Sequence, residues 1–180
     1  MPEYFETFDA NGVPQGLVSR SQVHARGLWH KSAHVFLFTP NEELYLQRRA
    51  HDKDLYANLW DYSVGEHLTP GETYHAAAQR GLQEELGVSG VALQALGEAR
   101  PSSFIVAEQH IADQEFQQAY RGTYAGSVHP DPAEVAEVRT IGLAELARWI
   151  EHAPEQFTPL FVRDIVDLGF LTLSSANHDR

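Results

Sequence analysis

The sequence predicts an α/β or α+β fold in which one compact sheet carries helices on its faces. Short apolar runs typical of strands are interspersed with longer stretches that have helical periodicity. The two kinds do not alternate regularly, as they would in a parallel wound sheet. The chain has 180 residues, 43% of them hydrophobic, which is enough for one core and short for two. We therefore expect a single domain over residues 1–180.

The first part of the chain predicts a hairpin followed by two strands of the central sheet. Tyr4–Phe8 is typical of a short strand, residues 9–12 of a turn and residues 13–18 of the returning strand. Residues 34–38 form a continuous apolar run, and a polar turn separates them from a second strand-like run at 44–48. We expect these two strands to pair.

The rest of the chain predicts further strands and three helices. After a polar, non-periodic segment at 50–58, a strand is expected at 59–64 and a loop at 65–71. Ala78, Leu82 and Leu86 recur every four residues, and Gly87 supplies a stop, so residues 73–86 predict a helix. Further strands are expected at 103–106 and 115–125, and helices at 144–151 and 159–168.

Composition excludes several classes of function. The formal net charge of −12 opposes long-range attraction to nucleic-acid polymers and to anionic membrane surfaces. Because the chain has no Cys, it has neither disulfides nor thiolate metal ligands nor a cysteine nucleophile. No apolar run approaches the roughly 18 residues needed to cross a bilayer, and the N-terminus resembles no secretion signal. We expect a cytoplasmic protein, and the sequence leaves a homodimer open.

Carboxylates with helical spacing predict a metal site. Arg80 and Glu84 lie one turn apart, Glu84 and Glu85 flank the apolar stripe, and Glu72 precedes the helix. Converging oxygen ligands are what Mg²⁺ requires, and Mn²⁺ can replace it. The alternative is an acidic pair on a solvated helix face, which is the usual meaning of two adjacent Glu residues taken alone.

The spacing over this stretch resembles the Nudix box, whose pattern is Gly, five residues, Glu, seven residues, Arg-Glu, an aliphatic, any residue, Glu-Glu, any residue, Gly and an aliphatic. The matching residues are Glu72, Arg80, Leu82, Glu84, Glu85, Gly87 and Val88. Glu66 stands at the first Gly of the pattern, and Gly81 stands at the Glu after Arg80. The resemblance implies a Nudix-type α/β/α sandwich with a central mixed sheet, with the box loop and helix at about 65–88.

The wider chain is most similar to the Nudix branch that contains type I isopentenyl-diphosphate isomerase. This resemblance implies metal ligands in addition to the box carboxylates, at His24, His30, His67, Asp113 and Glu115. It also implies diphosphate-binding cations at Arg48, Arg49 and Lys53, because Arg suits bidentate phosphate contacts and Lys a point charge. The position of the isomerase's proton-transferring cysteine is Gly65 here.

These residues give one expected function and two alternatives. We expect an Mg²⁺-dependent hydrolase of a small diphosphate compound, in which Glu84 and Glu85 bind metal, Glu72 supports the site and Arg80 orients the carboxylates. Glu115 would be the base in place of Gly81. An isoprenoid-diphosphate isomerase is disfavoured because Gly65 cannot transfer a proton. The second alternative is a Nudix-fold protein that binds a nucleotide or diphosphate without turnover. The group attached to the diphosphate stays open.

Overall fold

The computed structural model describes residues 3–53, 55–106 and 111–173 of the chain. The described strands are β1 (Tyr4–Phe8), β2 (Pro14–Ser19), β3 (His30–Phe38), β4 (Glu43–Arg49), β5 (Trp60–Asp61), β6 (Val64–His67), β7 (Gln94–Ala95), β8 (Arg100–Val106), β9 (Ile111–Thr123) and β10 (Val135–Gly142). The described helices are α1 (Arg20–Arg26), α2 (Tyr74–Leu86), α3 (Leu143–His152) and α4 (Pro159–Asp167), with a 3₁₀ turn at Pro154–Gln156.

A mixed sheet forms the centre of the molecule. Its path runs β10-β4-β3-β9-β7, with β5 paired to β4, β6 to β3 and β8 to β9. The β3 and β9 strands are parallel, and the other described pairs are antiparallel. The hairpin of β1 and β2 is separate and is joined to β3 through the bridge between Phe8 and Trp29. The predicted central mixed sheet is confirmed.

Successive side chains of β3 point to opposite faces of the sheet and so build two cores. Ala33, Val35 and Leu37 belong to a core cluster that includes residues of α2. Phe36 and Phe38 belong to the other cluster, with residues of α3 and α4. Helices therefore cover both faces, and the predicted α/β/α sandwich is confirmed.

Helix α2 follows the expected pattern closely. Thr73 caps its N-terminus by accepting a hydrogen bond from the Ala76 amide at 3.2 Å. Gly87 ends the helix in the left-handed region at a φ of 65°, which a glycine adopts without strain. The buried stripe includes Ala78, Leu82 and Leu86, as their spacing predicts.

Several elements differ from the expectation. The predicted strands at 34–38 and 44–48 do pair, but only at Phe38 and Leu44, and β3 starts four residues earlier than predicted. The expected strand at 59–64 is split into β5 and β6, and β6 occupies the start of the expected loop. Helix α1 and the strands β7 and β10 were not predicted, because their sequences lack a clear apolar period. Among the described residues, no helix is long and apolar enough to cross a membrane.

Candidate functional site

Three histidines and two carboxylates meet at one end of the sheet. The parallel register of β3 and β9 sets His30 beside Glu115, and the antiparallel register of β3 and β6 sets Ser32 beside His67. Helix α1 adds His24. Ligand atoms of His24, His30 and His67 lie within 4.8 Å of one another, as do those of His30, Asp113 and Glu115. The structure thus brings together all five residues that the resemblance implied in addition to the box carboxylates.

Buried atoms in this cluster lack hydrogen-bond partners among the described residues. They are His30 Nε2, Asp113 Oδ1 and Glu115 Oε2. The Glu115 Oε1 atom lies 3.7 Å from His30 Nε2 and 3.5 Å from His67 Nε2, longer than a hydrogen bond. Leaving such atoms buried and unpaired is costly, and a divalent cation would satisfy them together. The donor set of imidazoles and carboxylates fits a transition metal or Zn²⁺.

The protonation states of His67 and Glu115, though not that of Asp113, suit a metal. Burial, together with the neighbouring histidines, lowers the pKa of His67 to about 3, so its imidazole is neutral at pH 7. Burial raises the pKa of Asp113, and so does the nearby charge of Glu115. For Glu115, burial is outweighed by His67, His34 and His30, and the pKa of its carboxyl is lowered. A neutral imidazole and an ionised carboxylate are the metal-binding forms of these groups.

A second buried polar group lies behind the cluster, on the side of α4. Asp164 is fully buried and accepts hydrogen bonds from Tyr62 Oη at 2.7 Å, Gln117 Nε2 at 2.6 Å and Arg100 Nη2 at 2.8 Å. His34 stands between two carboxylates, with Nδ1 3.7 Å from Asp164 and Nε2 3.6 Å from Glu115. Burial lowers the pKa of His34, but Asp164 and Glu115 raise it by more.

The cavity at this site passes beside Gly65. A Cβ atom at Gly65 would lie 3.8 Å from the His34 ring and 3.9 Å from the Tyr62 ring, in ordinary van der Waals contact. A Cβ atom would therefore fit at this position, yet the residue there carries none. The side chains of His34 and Tyr62 are its closest neighbours, and their rings stack with centroids 4.2 Å apart.

The site has two adjoining cavities: the first is lined by residues that include His34, Tyr62, Gly65 and Glu115, and the second by residues that include Gln47, Glu66, Glu85 and Glu134. Of the three predicted diphosphate-binding cations, two line these cavities and one does not. Arg49 lines both cavities and contacts Asp61 at 3.2 Å, and Lys53 lines the second cavity, where it pairs with Glu134. Arg48 points to the opposite face of β4, where it pairs with Glu137 at 3.3 Å. The structure does not bring Arg48 to the site, because alternate residues of a strand face opposite sides.

Of the two adjacent box carboxylates, Glu85 faces a cavity and Glu84 does not. Glu85 is 7% exposed, lines the second cavity and accepts a hydrogen bond from Gln47 Nε2 at 2.8 Å. Burial, followed by the charge of Glu66, raises the pKa of Glu85 to about 8. Glu84 has a side chain 57% exposed and pairs with Arg80 at 3.1 Å. The expected convergence of Glu84 with Glu85 is not seen, because adjacent helical residues point about 100° apart.

Arg80 holds the box loop onto α2. Its guanidinium donates to Glu72 at 2.9 Å and to the His67 carbonyl at 2.9 Å, and it pairs with Glu66 at 3.1 Å. Glu72 also accepts a hydrogen bond from the Thr69 amide, so it closes the loop and lines neither cavity. Arg80 thus pairs with Glu66, Glu72 and Glu84 but not with Glu85, and Glu72 supports the loop from a distance.

The profile of the NUDIX domain matches residues 28–161, which is more than half of the chain. The chain is a Nudix protein. An isopentenyl-diphosphate delta-isomerase of Serratia proteamaculans is 32% identical over 169 residues, covering 94% of this Nudix protein and 93% of the relative. A relative of the same name from Streptomyces griseus is 36% identical over 163 residues, covering 87% and 79%. This Nudix protein therefore belongs to the branch that contains these enzymes.

Solved structures show the same fold. Protein DR0079 of Deinococcus radiodurans has a TM-score of 0.74 at 21% identity, covering 93% of this Nudix protein and 99% of that chain. A MutT protein of Methanosarcina mazei has a TM-score of 0.60 at 18% identity, covering 77% and 91%. At these identities the likeness concerns the fold alone.

The comparisons correct the expected reaction. The hydrolase expectation is wrong, because relatives at 28–36% identity that span most of the chain are named isomerases. The box carboxylates and Gly65 favoured hydrolysis, whereas the cluster of His24, His30, His67, Asp113 and Glu115 resembles the set of the isomerase branch. Box carboxylates serve to hold a metal near a diphosphate and do not by themselves define the reaction. This Nudix protein belongs to a family of enzymes that generally depend on a divalent metal.

Sequence reasoning missed four residues that line or support the site. They are His34, Gln47, Tyr62 and Asp164. Each lies in or next to a strand or helix that also buries apolar residues, and nothing in the local sequence distinguishes it from a structural residue. A different signal was visible for Glu66, since it occupies the glycine position of the box while Gly81 occupies a carboxylate position.

Proposed function

We propose that the protein is an isomerase that moves a double bond in a small isoprenoid diphosphate, of the type named isopentenyl-diphosphate delta-isomerase in its relatives. The observation that carries the proposal is the buried cluster of His24, His30, His67, Asp113 and Glu115, on a chain related to these enzymes over most of its length. Its substrate is a small diphosphate and not a nucleic-acid polymer.

Moving a double bond by one position needs a proton added at one carbon and another removed two carbons away. Glu115 is the candidate for one transfer, because it is buried at the cavity wall and its Oε2 has no hydrogen-bond partner among the described residues. The cavity excludes bulk water around a cationic intermediate, which water would otherwise capture. A bound divalent metal supplies charge that neutralises the diphosphate and fixes Glu115.

The other transfer cannot use position 65, where the chain has Gly65. We assign it to the two side chains that surround this position, His34 and Tyr62. Both are tied to Asp164, which keeps their rings in place at the cavity wall. A different proton carrier at the same place in the cavity makes Gly65 compatible with isomerisation.

Arg49 is the candidate for diphosphate binding. It lines both cavities, and its guanidinium is held at 3.2 Å from Asp61. Lys53 adds a second positive charge at the second cavity. A planar guanidinium and an ammonium together match the charge of a diphosphate that also carries a divalent metal.

The test is incubation with isopentenyl diphosphate in D₂O with Mg²⁺, Mn²⁺ or Zn²⁺, followed by NMR. We expect the allylic isomer with deuterium at the exchanged carbons. Glu115→Gln should abolish the product, and His34→Gln or Tyr62→Phe should lower kcat by at least tenfold. Arg48→Ala is the matched control and should retain activity. Absence of isomer with every metal, or full activity of Glu115→Gln, would refute the proposal.

A further inference from the structure

The wall of the first cavity is polar for a site that holds a hydrocarbon group. Among the described residues that line it, only Leu55 and Leu160 have aliphatic side chains. Pockets for small organic ligands are lined mainly by hydrophobic and aromatic side chains, and the few polar groups among them fix orientation and specificity. The polar groups of this wall therefore indicate what the organic group of the ligand carries.

Ser32 is a buried side chain of this wall that has an unpaired hydroxyl. It lies on β3 between His30 and His34 at alternate positions, so the three side chains point to the same face of the sheet. Ser32 is 1% exposed and lines the first cavity, and its Oγ atom has no hydrogen-bond partner among the described residues. Because an unpaired buried hydroxyl destabilises a fold, buried hydroxyls are normally hydrogen-bonded. The Ser32 hydroxyl is therefore available to a ligand in the cavity.

Tyr56 presents a second unpaired hydroxyl to the first cavity, from the loop that follows β4. Its Oη atom is buried and has no hydrogen-bond partner among the described residues. Its ring packs against Phe104, with the ring centroids 6.2 Å apart. Burial raises the pKa of the Tyr56 hydroxyl, and so do the nearby charges of Asp113 and Asp61. The hydroxyl thus keeps its proton at pH 7 and can donate a hydrogen bond.

The backbone holds Tyr56 in a conformation that aromatic residues rarely adopt. Its φ is 56°, in the left-handed region, where a residue with a Cβ atom is strained. The turn is fastened to β4, because Arg49 Nε donates to the Leu55 carbonyl at 3.1 Å and the Asn58 amide donates to the Arg49 carbonyl at 3.2 Å. Such strain persists where the surrounding structure fixes it, and it is common at ligand sites. The Tyr56 hydroxyl is therefore held in place before a ligand binds.

A divalent metal in the histidine cluster does not account for these two hydroxyls. Such a metal uses imidazole nitrogens and carboxylate oxygens, which the cluster itself supplies. A hydrocarbon chain has no atom that can pair with a hydroxyl. A hydroxyl group on the ligand can, because it both accepts and donates hydrogen bonds and so matches Tyr56 as a donor and Ser32 in either role.

We propose that the first cavity selects an isoprenoid diphosphate whose organic group carries a hydroxyl, and that Tyr56 and Ser32 bind this hydroxyl. The inference rests on the proposed function for the diphosphate and the isoprenoid skeleton, and it adds a polar substituent to that substrate class. Isopentenyl diphosphate lacks the hydroxyl and is the weaker ligand. A site built to hydrogen-bond a hydroxyl discriminates against an analogue without it, because the polar groups of the site are then left unpaired.

The experiment is isothermal titration calorimetry with 3-methylbutyl diphosphate and with its 3-hydroxy and 4-hydroxy analogues, in the presence of Mg²⁺. None of the three has a double bond to move, so the result does not depend on isomerase activity and stays readable if the proposed function fails. We expect one of the hydroxy analogues to bind the native protein about tenfold more tightly than 3-methylbutyl diphosphate. Tyr56→Phe and Ser32→Ala should each reduce this preference to about threefold or less, while the affinity for 3-methylbutyl diphosphate stays within about twofold.

Tyr124→Phe is the matched control, because the Tyr124 hydroxyl donates to the Ser127 carbonyl at 3.4 Å and Tyr124 lines neither cavity. It should keep the full preference. Circular dichroism melts identify any variant that is unfolded, and if Ser32→Ala unfolds, Tyr56→Phe alone decides. Equal affinity of the native protein for all three compounds would overturn the proposal and assign the two hydroxyls to buried water. A preference that the folded variants retain in full would also overturn it.

Discussion

The buried carboxylate of Asp164 gives a prediction with a calculable magnitude. Burial disfavours its ionised form, but His34, Tyr62 and Arg163 outweigh burial and lower the pKa from 3.8 to about 2. The folded state therefore binds a proton less readily than the unfolded chain. A lowering of this size stabilises the fold by about 2 kcal/mol at pH 7. Asp164→Asn should remove that stabilisation.

The sign of the pH dependence follows from the lowered pKa. The contribution is complete above pH 4, where the unfolded chain is also ionised, and it is lost as the pH falls through 2. The part of the difference in unfolding free energy between the native protein and Asp164→Asn that comes from the ionisation of Asp164 itself should be constant from pH 7 to 5. It should fall to roughly half by pH 3. At pH 7 the thermal midpoint should drop by about 4–8 °C.

The assay is urea unfolding of both proteins at pH 7, 5, 4 and 3, followed by circular dichroism. Asp167→Asn is the control, because Asp167 lies on the same helix, pairs with Arg100 at 3.5 Å and has a side chain 46% exposed. We expect that variant to lose less than about 0.5 kcal/mol. An Asp164→Asn deficit that stays the same down to pH 3, or a deficit no larger than that of Asp167→Asn, would show that the buried charge does not stabilise the fold.

Three further predictions follow from the packing and the site. Gly81→Ala gains about 1 kcal/mol of helix propensity, but its methyl group would lie 2.6 Å from Val64 Cγ1. We expect this overpacking to outweigh the gain, so that urea unfolding shows a net loss of about 1 kcal/mol in the free energy of unfolding. Adding Val64→Ala should reverse this loss. Chelation of bound divalent metal should lower the thermal midpoint of unfolding. Zn²⁺ at a hundredfold excess over Kd should stabilise the native protein by about 2.7 kcal/mol. The same Zn²⁺ concentration should stabilise His67→Asn much less. Arg49→Ala should raise KM for the diphosphate at least tenfold in steady-state assays, whereas Arg48→Ala should leave it within twofold; equal effects would contradict the geometry.

Much of the fold could be predicted because hydrophobic periodicity records burial. The four-residue repeat of α2 and the apolar run of β3 mark the cores that these elements build. In contrast, α1 buries only Val23, and β10 shows no alternation of buried and exposed residues, so neither has a periodic signal. The start of β3 was missed because His30 to His34 includes the polar residues that face the site.

Only some residues of the candidate site could be predicted from the sequence, and the reason is again physical. His24, His30, His67, Asp113 and Glu115 could be assigned because their spacing resembles a known set, and the structure brings them together. Spacing alone does not say which way a side chain points. Arg48 and Glu84 lie next to site residues in the sequence, but their side chains point away from the site. His34 and Asp164 are far apart in sequence, and only the contact of β3 with α4 makes them neighbours.

Isomerisation is tested most simply by ¹H NMR of isopentenyl diphosphate incubated with the metal-loaded native protein and with Glu115→Gln. We expect the allylic isomer from the native protein and unchanged substrate from the variant. Unchanged substrate from both, or phosphate release without any isomer, would contradict the proposed function.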